Sequence, residues 1–203
     1  MAEIEVEKKF QPTEKQLRSL LNDSEFISKE QIRNTYYDSE SFSLLKEGMR
    51  LRDRNGVFEL KVRLSSGAEL ELKTEEEIIE RLKIKTSLQE FIEQEKLVPY
   101  IDYMTERAKF KNGEFIIDID EMGFDYNMCE IELILDNEDD APEAKEKIKK
   151  FAQKYNFEIK KIPSKGDEYL KRFYPEKFKE VLRIKKEYKE KMKGGAFNEI
   201  KLK

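Results

Sequence analysis

The chain has 203 residues, a length that fits one large domain. Its 40 lysines and arginines nearly balance 44 aspartates and glutamates, and the net charge of −4 argues against a general nucleic-acid binder, which would carry a basic excess. The sequence has no histidine and one cysteine, Cys129. These counts exclude most zinc sites, histidine-based catalytic groups and an intramolecular disulfide, so catalysis would rely on carboxylates, lysines, arginines, tyrosines or a hard cation.

The sequence contains no sign of a membrane or export segment. No apolar run approaches the roughly 20 residues needed to cross a bilayer, and no signal peptide opens the chain. A single cysteine is typical of a cytosolic protein. We therefore expect a cytoplasmic monomer with no nucleic-acid or membrane partner. Residues 1–193 are expected to form one domain, and residues 194–203 a flexible tail.

The first part of the chain alternates between predicted strands and short helices. "IEVEKKF" at 4–10 predicts a strand, and the leucines of "QPTEKQLRSLL" recur at helical spacing. "EFISKEQIRNTYYD" predicts one or two strands, and "SFSLLKEG" a turn or a short helical piece. Asn55-Gly56 lies between two alternating runs, which strongly indicates a hairpin.

The remaining elements are mainly antiparallel strands followed by helices. "AELELKT" predicts a strand, two short helices follow it, and three strands joined by tight turns then run from Pro99 to Leu135. "DDAPEAKEKIKKFAQKYN" predicts a helix with an acidic start and a basic end. "FEIKKIP" predicts a last strand, and the segment after it two helices broken at Pro175. About eight strands with helices between and after them predict an α+β fold.

Charged side chains share one face on most of these strands. Successive residues of a strand point to opposite faces, so Glu5, Glu7 and Lys9 lie together, opposite a mainly apolar face. On several later strands the charges of one face carry a single sign. The charged faces of those strands hold Arg50, Arg52 and Arg54; Glu59, Lys61 and Arg63; Arg107 and Lys109; Asp118 and Asp120; and Glu130 and Glu132.

Two interpretations of this sorted charge remain open at this point. In an open antiparallel sheet, a charged face is commonly just the solvated one. If the strands instead close into a barrel, the charged faces converge inside and the apolar faces point outward, to be covered by helices. Because an isolated buried charge is too costly to keep, such an interior must be wet, paired or filled by an ion-rich ligand.

A metal-bound oligophosphate is the ligand that fits a charged interior of this composition. Arginines offer planar forks to phosphate oxygens, and lysines add point charge. Clustered carboxylates suit a hard cation such as Mg²⁺ or Mn²⁺. With no histidine and no activated cysteine, the expected reaction is attack of metal-activated water on phosphorus.

The order of these residues along the chain resembles the CYTH superfamily, the triphosphate tunnel metalloenzymes. The first strand matches their E-x-E-x-K signature, and "NTYYD", an R-x-R pair, "ELK", "TERAKF", "IDID" and "CEIEL" follow in order. Lys165 ahead of "EYLKRFYP" is most similar to the thiamine triphosphatase branch. The resemblance covers residues 4–182 and implies an eight-stranded antiparallel β-barrel, open at both ends as a tunnel, with helices packed outside.

The resemblance also implies a metal-dependent triphosphatase that removes the terminal phosphate. Glu7, Lys61 and Tyr36 are the catalytic candidates, although the segment around Tyr36 also fits a plain β-rich strand. We expect Tyr36 to help position the reacting phosphate beside Lys61, whose pKa neighbouring cations should lower. The implied phosphate-binding residues are Lys9, Arg50, Arg52, Lys61, Arg107 and Lys165, and the implied ligands of Mg²⁺ or Mn²⁺ are Glu5, Glu7, Asp118, Glu130 and Glu132.

Several charges have weaker assignments. In "ELELK", Glu69, Glu71 and Lys73 repeat the signature, but we interpret them mainly as strand packing and solvation, with Glu71 a minor candidate. Only the resemblance assigns Lys165, which also fits a surface lysine. The charges expected at the tunnel wall or rim are Arg54, Arg63 and Lys109.

The substrate is expected to be a small triphosphate-containing molecule, with inorganic triphosphate favoured. Vertebrate thiamine triphosphatases carry a Trp two residues before the R-x-R pair, available to stack on the thiamine ring. Here that position is Gly48, and the sequence has no Trp. Since stacking contributes about 1 kcal/mol beyond burial, thiamine triphosphate comes second. The alternatives are a class IV-type adenylyl cyclase and a non-catalytic polyphosphate-binding module.

Overall fold

The computed structural model describes residues 2–193, and the predicted tail at 194–203 lies outside the described residues. The strands are β1 (Glu3–Phe10), β2 (Glu25–Asp38), β3 (Met49–Arg54), β4 (Val57–Arg63), β5 (Glu69–Leu72), β6 (Val98–Asn112), β7 (Phe115–Met122) and β8 (Tyr126–Leu135). Within residues 2–193 these eight strands form one closed antiparallel barrel, in the order β1-β5-β4-β3-β2-β6-β7-β8. The expected α+β barrel with outer helices is confirmed.

Helices connect the strands or follow them. They are α1 (Glu14–Asn22), α2 (Ser43–Lys46), α3 (Glu75–Leu82), α4 (Leu88–Gln94), α5 (Ala141–Lys154), α6 (Lys165–Phe173) and α7 (Pro175–Lys193). Thr13, Thr74 and Ser87 cap α1, α3 and α4, each accepting a hydrogen bond from the backbone N–H three residues on. The side chain of the Gln or Glu at that third position accepts a hydrogen bond from the backbone N–H of the capping residue. Together the two bonds fix where each helix begins.

The first strand of the chain, β1, closes the barrel. On one side β1 pairs with β5, where Glu5 lies opposite Glu69, and on the other with β8, where Glu7 lies opposite Glu132. The predicted hairpin joins β3 and β4, and Asn55 and Gly56 have φ angles of 53° and 87°. Positive φ at both central residues is the geometry of the turn whose twist matches the flanking strands.

Two of the three hydrophobic clusters lie outside the barrel, between strands and helices. Val6 and Phe10 of β1 are 2% and 1% exposed, and they belong to one cluster with Ile148 of α5. The other outer cluster joins β3, β4 and β5 to α3 and α4. The remaining cluster joins β6 and β8 to α6 and α7, and it lies partly inside the barrel, because its Ile101 and Tyr103 line the interior cavity. Because side chains alternate along each strand, the outward apolar set leaves the charged set pointing inward.

The last predicted strand is wrong. Residues 157–163 run as an irregular segment, although Phe157 and Ile162 are buried as a strand pattern would require. The Phe157 ring lies 5.4 Å from the Phe10 ring. Because β1 already pairs with β5 and β8, the barrel has no free edge for a ninth strand. The segment therefore packs against the barrel without joining the sheet, and Tyr126 Oη donates a hydrogen bond to the carbonyl of Pro163.

No helix among residues 2–193 is both long enough and apolar enough to pass through a membrane.

Helix α7 offers a direct test of the outer core. Ile184 is 1% exposed, whereas Leu182 on the same helix is 42% exposed. We expect Ile184→Ala to lower the free energy of unfolding by about 2–5 kcal/mol, since it leaves a cavity. Leu182→Ala should change it by less than about 0.5 kcal/mol. Urea denaturation of both variants measures the difference, and equal effects would contradict the packing of α7 on the barrel.

Candidate active site

The barrel encloses a cavity of about 360 Å³ that receives side chains from all eight strands. The cavity continues to α6 and α7, where Lys165 and Lys185 line it. Its walls are formed by the inward set of the strand alternation, so the interpretation of the charged faces as a barrel interior is the one that the structure supports. We call this cavity the tunnel.

Arginines and a lysine of β3 and β4 form one cationic wall of the tunnel. Arg50 lies directly opposite Lys61 in the strand register, and each is held by carboxylates. Arg50 Nη2 is 2.6 Å from Glu69 Oε2, and Lys61 Nζ is 3.2 Å from Glu5 Oε2 and also contacts Glu71. The cations are therefore fixed in position before any ligand is present.

Glu69 and Glu71 of β5 are interior residues, so their interpretation as solvated strand charges is wrong. They are 4% and 3% exposed, and Glu71 pairs with Arg52 at 3.4 Å as well as with Lys61. Neighbouring cations hold the pKa of both carboxyls below its usual range, although burial opposes this shift. The signal that could have found them is the alternation of "ELEL", the same pattern that marked β1.

A second group of charges surrounds Arg107 of β6. Its guanidinium donates two hydrogen bonds of 2.7 Å to Asp120 and one of 2.9 Å to Glu130. Asp118, which is fully buried, contacts Arg107 and lies 2.8 Å from Lys109 Nζ. Lys165, the first residue of α6, enters the tunnel and donates to Glu130 at 2.7 Å and to Asp120. The placement of Lys165 thus agrees with the family resemblance and not with a surface lysine.

Three carboxylates on β1 and β8 form the best candidate for a metal site. One oxygen from each of Glu5, Glu7 and Glu132 lies within 4.8 Å of the others. Burial raises the pKa of Glu5 to about 8; Lys61 opposes this rise, and Glu71 and Glu132 contribute to it. Burial likewise raises the pKa of Glu132 to about 7. A crowded, buried set of carboxylate oxygens fits a hard divalent cation, which would relieve this repulsion.

The structure brings together three of the five expected metal ligands. Asp118 and Glu130 lie instead among cations, and Glu130 is also 3.5 Å from Lys9. Lys9 contacts Glu7 as well, so it links the carboxylate cluster to the Arg107 group. Sequence alternation placed all five on inward faces but gave no information on which strands would be neighbours.

Lys61 differs from its expected behaviour. Burial works against its charged form, but Glu5 and Glu71 raise its pKa above the usual value, so the expected lowering by cations is wrong. Tyr36 lies on β2 opposite Arg52 and lines the tunnel. Burial opposes ionisation of its phenol, yet Arg52 and Arg50 lower the pKa of Tyr36 to about 8. Of these two residues, Tyr36 is therefore the one whose pKa is shifted toward neutral pH.

A neutral wall on β2 and β6 faces the carboxylates across the barrel, and the sequence patterns did not single it out. Asn34 and Thr105 are 4% and 2% exposed and line the tunnel beside Ile32 and Tyr103. Within residues 2–193, neither Asn34 Oδ1 nor Thr105 Oγ1 has a hydrogen-bond partner. These oxygens can bind water or a ligand group, because buried polar atoms are rarely left unpaired.

A comparison with protein families matches residues 3–164 to the CYTH domain. The chain belongs to the CYTH domain family. The match includes all eight strands and ends just before Lys165, so α6 and α7 lie beyond it. The sequence-based assignment to this superfamily is confirmed, while the thiamine triphosphatase-like branch remains a prediction.

Solved structures share the fold of this CYTH-domain protein. A Vibrio parahaemolyticus protein provisionally named an adenylate cyclase is 18% identical, with a TM-score of 0.62, over 84% of this chain and 99% of that one. A conserved Pyrococcus furiosus protein is 21% identical, with a TM-score of 0.57, over 76% and 92%. A Hippeastrum protein provisionally named an adenylyl cyclase, and described as having a dominant triphosphatase activity, is 17% identical, with a TM-score of 0.51, over 80% and 92%.

The carboxylate cluster predicts an unusual pH dependence for the metal-free CYTH-domain protein. Glu5 and Glu132 keep protons up to about pH 8 and pH 7 when folded, but release them near 4.5 when unfolded. The folded state then binds more protons in this window, so the free energy of unfolding falls as pH rises from 5 to 8. Carboxyls whose pKa is lowered, such as Glu71, change the free energy of unfolding only below about pH 4.5. Melting temperatures measured in a chelator should therefore decline from about pH 5 to pH 8.

Glu5→Gln should flatten that decline, whereas Glu121→Gln, an exposed change on β7, should preserve it. Adding Mg²⁺ should raise the melting temperature more at pH 8 than at pH 6, because metal and protons compete for the same oxygens. A decline that persists unchanged in Glu5→Gln would contradict the assignment of the raised pKa to this cluster.

Proposed function

We propose that this CYTH-domain protein is a metal-dependent triphosphatase that hydrolyses the terminal phosphate of inorganic triphosphate, with thiamine triphosphate as the next substrate. The observation that carries the proposal is the composition of the tunnel. Inside one closed barrel, cations from β3, β4 and β6 line the same cavity as a cluster of three carboxylates. This arrangement complements a phosphate chain that carries a divalent cation.

Six cations of the tunnel would bind the phosphate oxygens. All six line the cavity, and each is already held by one or more carboxylates. Arginine guanidinium groups would donate in pairs to phosphate oxygens, while the lysines would add charge without strict direction. The six are Lys9, Arg50, Arg52, Lys61, Arg107 and Lys165.

Glu5, Glu7 and Glu132 would hold Mg²⁺ or Mn²⁺. When bound there, the cation would neutralise phosphate oxygens and lower the pKa of a coordinated water. Glu130 and Asp118 would affect the phosphate chain only indirectly, because they pair with the cations Lys165, Arg107 and Lys109. We assign them the role of orienting the phosphate-binding side chains.

Tyr36 and Lys61 would contribute to the chemistry itself. Lys61 stays charged throughout the physiological range and would neutralise charge that develops on the phosphate chain. Tyr36, with a pKa of about 8, would accept the proton of the attacking water at its phenolate oxygen. Arg50 and Arg52 would keep the phenolate stable, since they are the groups that lower its pKa.

Inorganic triphosphate is preferred in this proposal because the tunnel recognises charge more than an organic group. The sequence has no Trp for stacking on a thiamine ring. The triphosphatase activity stated for the Hippeastrum neighbour supports hydrolysis as a reaction that this fold can host. A cyclase would need ATP as substrate, and cyclic AMP would be its product.

The decisive measurement is phosphate release from a panel of triphosphates in Mg²⁺ and in Mn²⁺. We expect the highest kcat/KM with inorganic triphosphate and complete loss of activity with a chelator. Glu7→Gln should lower kcat/KM by at least about 100-fold. Its melting temperature should stay constant or rise, because one like charge leaves the carboxylate cluster.

Glu143→Gln is the matched control for that variant, since Glu143 lies exposed on α5, away from the tunnel, and should keep full activity. Cyclic AMP from ATP would select the cyclase instead. Binding of triphosphate without turnover in either metal would select a non-catalytic module. A large fall in the melting temperature of Glu7→Gln would assign that residue a structural role.

Tyr36→Phe tests the proton acceptor. In the wild type, kcat should rise with pH up to about 8 as the phenol ionises, because its folded pKa is lowered to that value. The variant should lose about 100-fold in kcat and should also lose this rise. Tyr37→Phe, the adjacent ring on β2, which packs against Phe58 outside the tunnel, should keep the pH profile. A Tyr36→Phe profile that still rises toward pH 8 would assign the proton transfer to another group.

A further inference from the structure

A second cavity of about 350 Å³ opens beside the tunnel, at the end where Lys9 lies. It shares Glu5, Glu7, Lys9 and Glu69 with the tunnel lining, so the two cavities adjoin at these residues. Its outer walls come from the end of β4, the loop before β5, helix α5 and the segment at 157–163. We call this cavity the mouth pocket; its outer cationic residues are Lys8, Arg63, Lys145, Lys149, Lys160 and Lys161.

The mouth pocket has a marked excess of positive charge. Seven lysines and arginines line it against three glutamates. Glu5 and Glu7 belong to the candidate metal site, and Glu69 pairs with Arg50 at 2.6 Å and with Arg63 at 2.9 Å. The chain as a whole has a net charge of −4, so this surplus is a local feature of the tunnel mouth.

Two of the cationic groups, those of Lys145 and Arg63, lie close to Gly67. A Cβ at Gly67 would lie 3.0 Å from Lys145 Nζ and 3.6 Å from Arg63 Nη2, and the φ of Gly67 is +81°. Lys145 Nζ also donates to the carbonyl of Ser66 in the same loop. The absence of a side chain at this position therefore leaves room above two converging cationic groups.

Like charges repel one another in this group. Burial, Arg63 and Lys149 together lower the pKa of Lys145. Lys149 has its own partner, Glu146, and Lys160 lies 2.6 Å from Glu158. No ion pair of Lys145 or Lys161 with a carboxylate occurs among residues 2–193. A polyanion would offset this repulsion, and the free energy gained would add to its binding.

We propose that the mouth pocket binds phosphate groups of a linear polyphosphate that extend beyond the phosphates held in the tunnel. The inference rests on the proposed function, since it assumes that the tunnel binds a triphosphate unit. It extends the substrate class to linear inorganic chains of four or more phosphates. A chain of identical anionic groups suits two adjoining cationic spaces, whereas an organic triphosphate would place an uncharged nucleoside or a cationic thiamine group among lysines.

Binding without turnover tests the inference separately from catalysis. Isothermal titration calorimetry in a chelator, at one ionic strength, would give the affinities of triphosphate, tetraphosphate and a long-chain polyphosphate. For the wild type we expect affinity to rise with chain length. Lys145→Gln should reduce the ratio of tetraphosphate to triphosphate affinity by about tenfold, and Lys145→Gln/Lys161→Gln should reduce it further for the long chain.

Lys147→Gln is the matched control. It lies on the same helix between Lys145 and Lys149, but it pairs with Glu114 and Glu143 and does not line the mouth pocket. It should preserve the chain-length ratio. An equal loss in Lys147→Gln would reveal general charge screening, and a ratio unchanged in Lys145→Gln would overturn the inference.

Inorganic phosphate distinguishes the other possible source of the same anionic group. If free phosphate lowers triphosphate affinity in the wild type but not in Lys145→Gln, and chain length has no effect, the pocket is a separate anion site and the inference fails. If affinity depends on chain length through Lys145 while no triphosphate is hydrolysed in Mg²⁺ or Mn²⁺, the inference stands and the proposed triphosphatase activity fails.

Discussion

The pairing of buried opposite charges is the constraint on which this structure depends. A barrel interior that holds Arg52, Arg107, Asp118 and Asp120 at or below 8% exposure can exist only if each charge has a partner. The strand order supplies those partners, because cationic strands lie beside anionic ones. β4 lies beside β5, and β6 beside β7. The same constraint leaves the outer faces of many strands apolar, and helices α3, α4 and α5 cover those faces.

Mutual pairing also prepares the tunnel for a charged ligand. A phosphate chain adds negative charge, and a divalent cation adds positive charge, so the two together change the total charge of the interior less than either alone. In the proposed complex, each phosphate oxygen would replace a carboxylate as the partner of a lysine or arginine, while the carboxylates of Glu5, Glu7 and Glu132 would gain a cation. Arg107 shows the required rigidity, since two hydrogen bonds to Asp120 fix the plane of its guanidinium.

Closure into a barrel was implied by the family resemblance, because alternation alone also fitted an open sheet. Strand alternation was sufficient only to predict which residues share the charged face, since a period of two fixes the face of every residue. It could not predict partners across strands, which depend on the order β1-β5-β4-β3-β2-β6-β7-β8. For that reason alternation could not show that Asp118 and Glu130 lie among cations. Their role as metal ligands, which the family resemblance implies, stays a prediction. The sign of the Lys61 pKa shift was wrong for the same cause, since Glu71 on the adjacent strand was not assigned to the interior.

The 157–163 segment shows a different limit of local patterns. Alternating apolar residues predict which side chains are buried, and Phe157 and Ile162 are buried. They do not predict whether the backbone finds a strand partner, which depends on a free edge elsewhere in the fold. Lys165 is a related case, because a residue at the start of a helix has no strand face. Its entry into the tunnel depends on how the preceding irregular segment crosses the mouth of the barrel.

The distribution of charge matters more than the net value. The chain is slightly acidic overall, yet many of its unburied carboxylates lie on α3 and α4, at Glu75, Glu76, Glu80, Glu90 and Glu93, whereas lysines and arginines gather at the mouth near Lys9. A cationic opening in a low-dielectric wall focuses the field and attracts anions before they enter. An acidic total is therefore compatible with a local site for a small polyanion. Seven lysines and arginines against three glutamates line this mouth, so an anion would be favoured there.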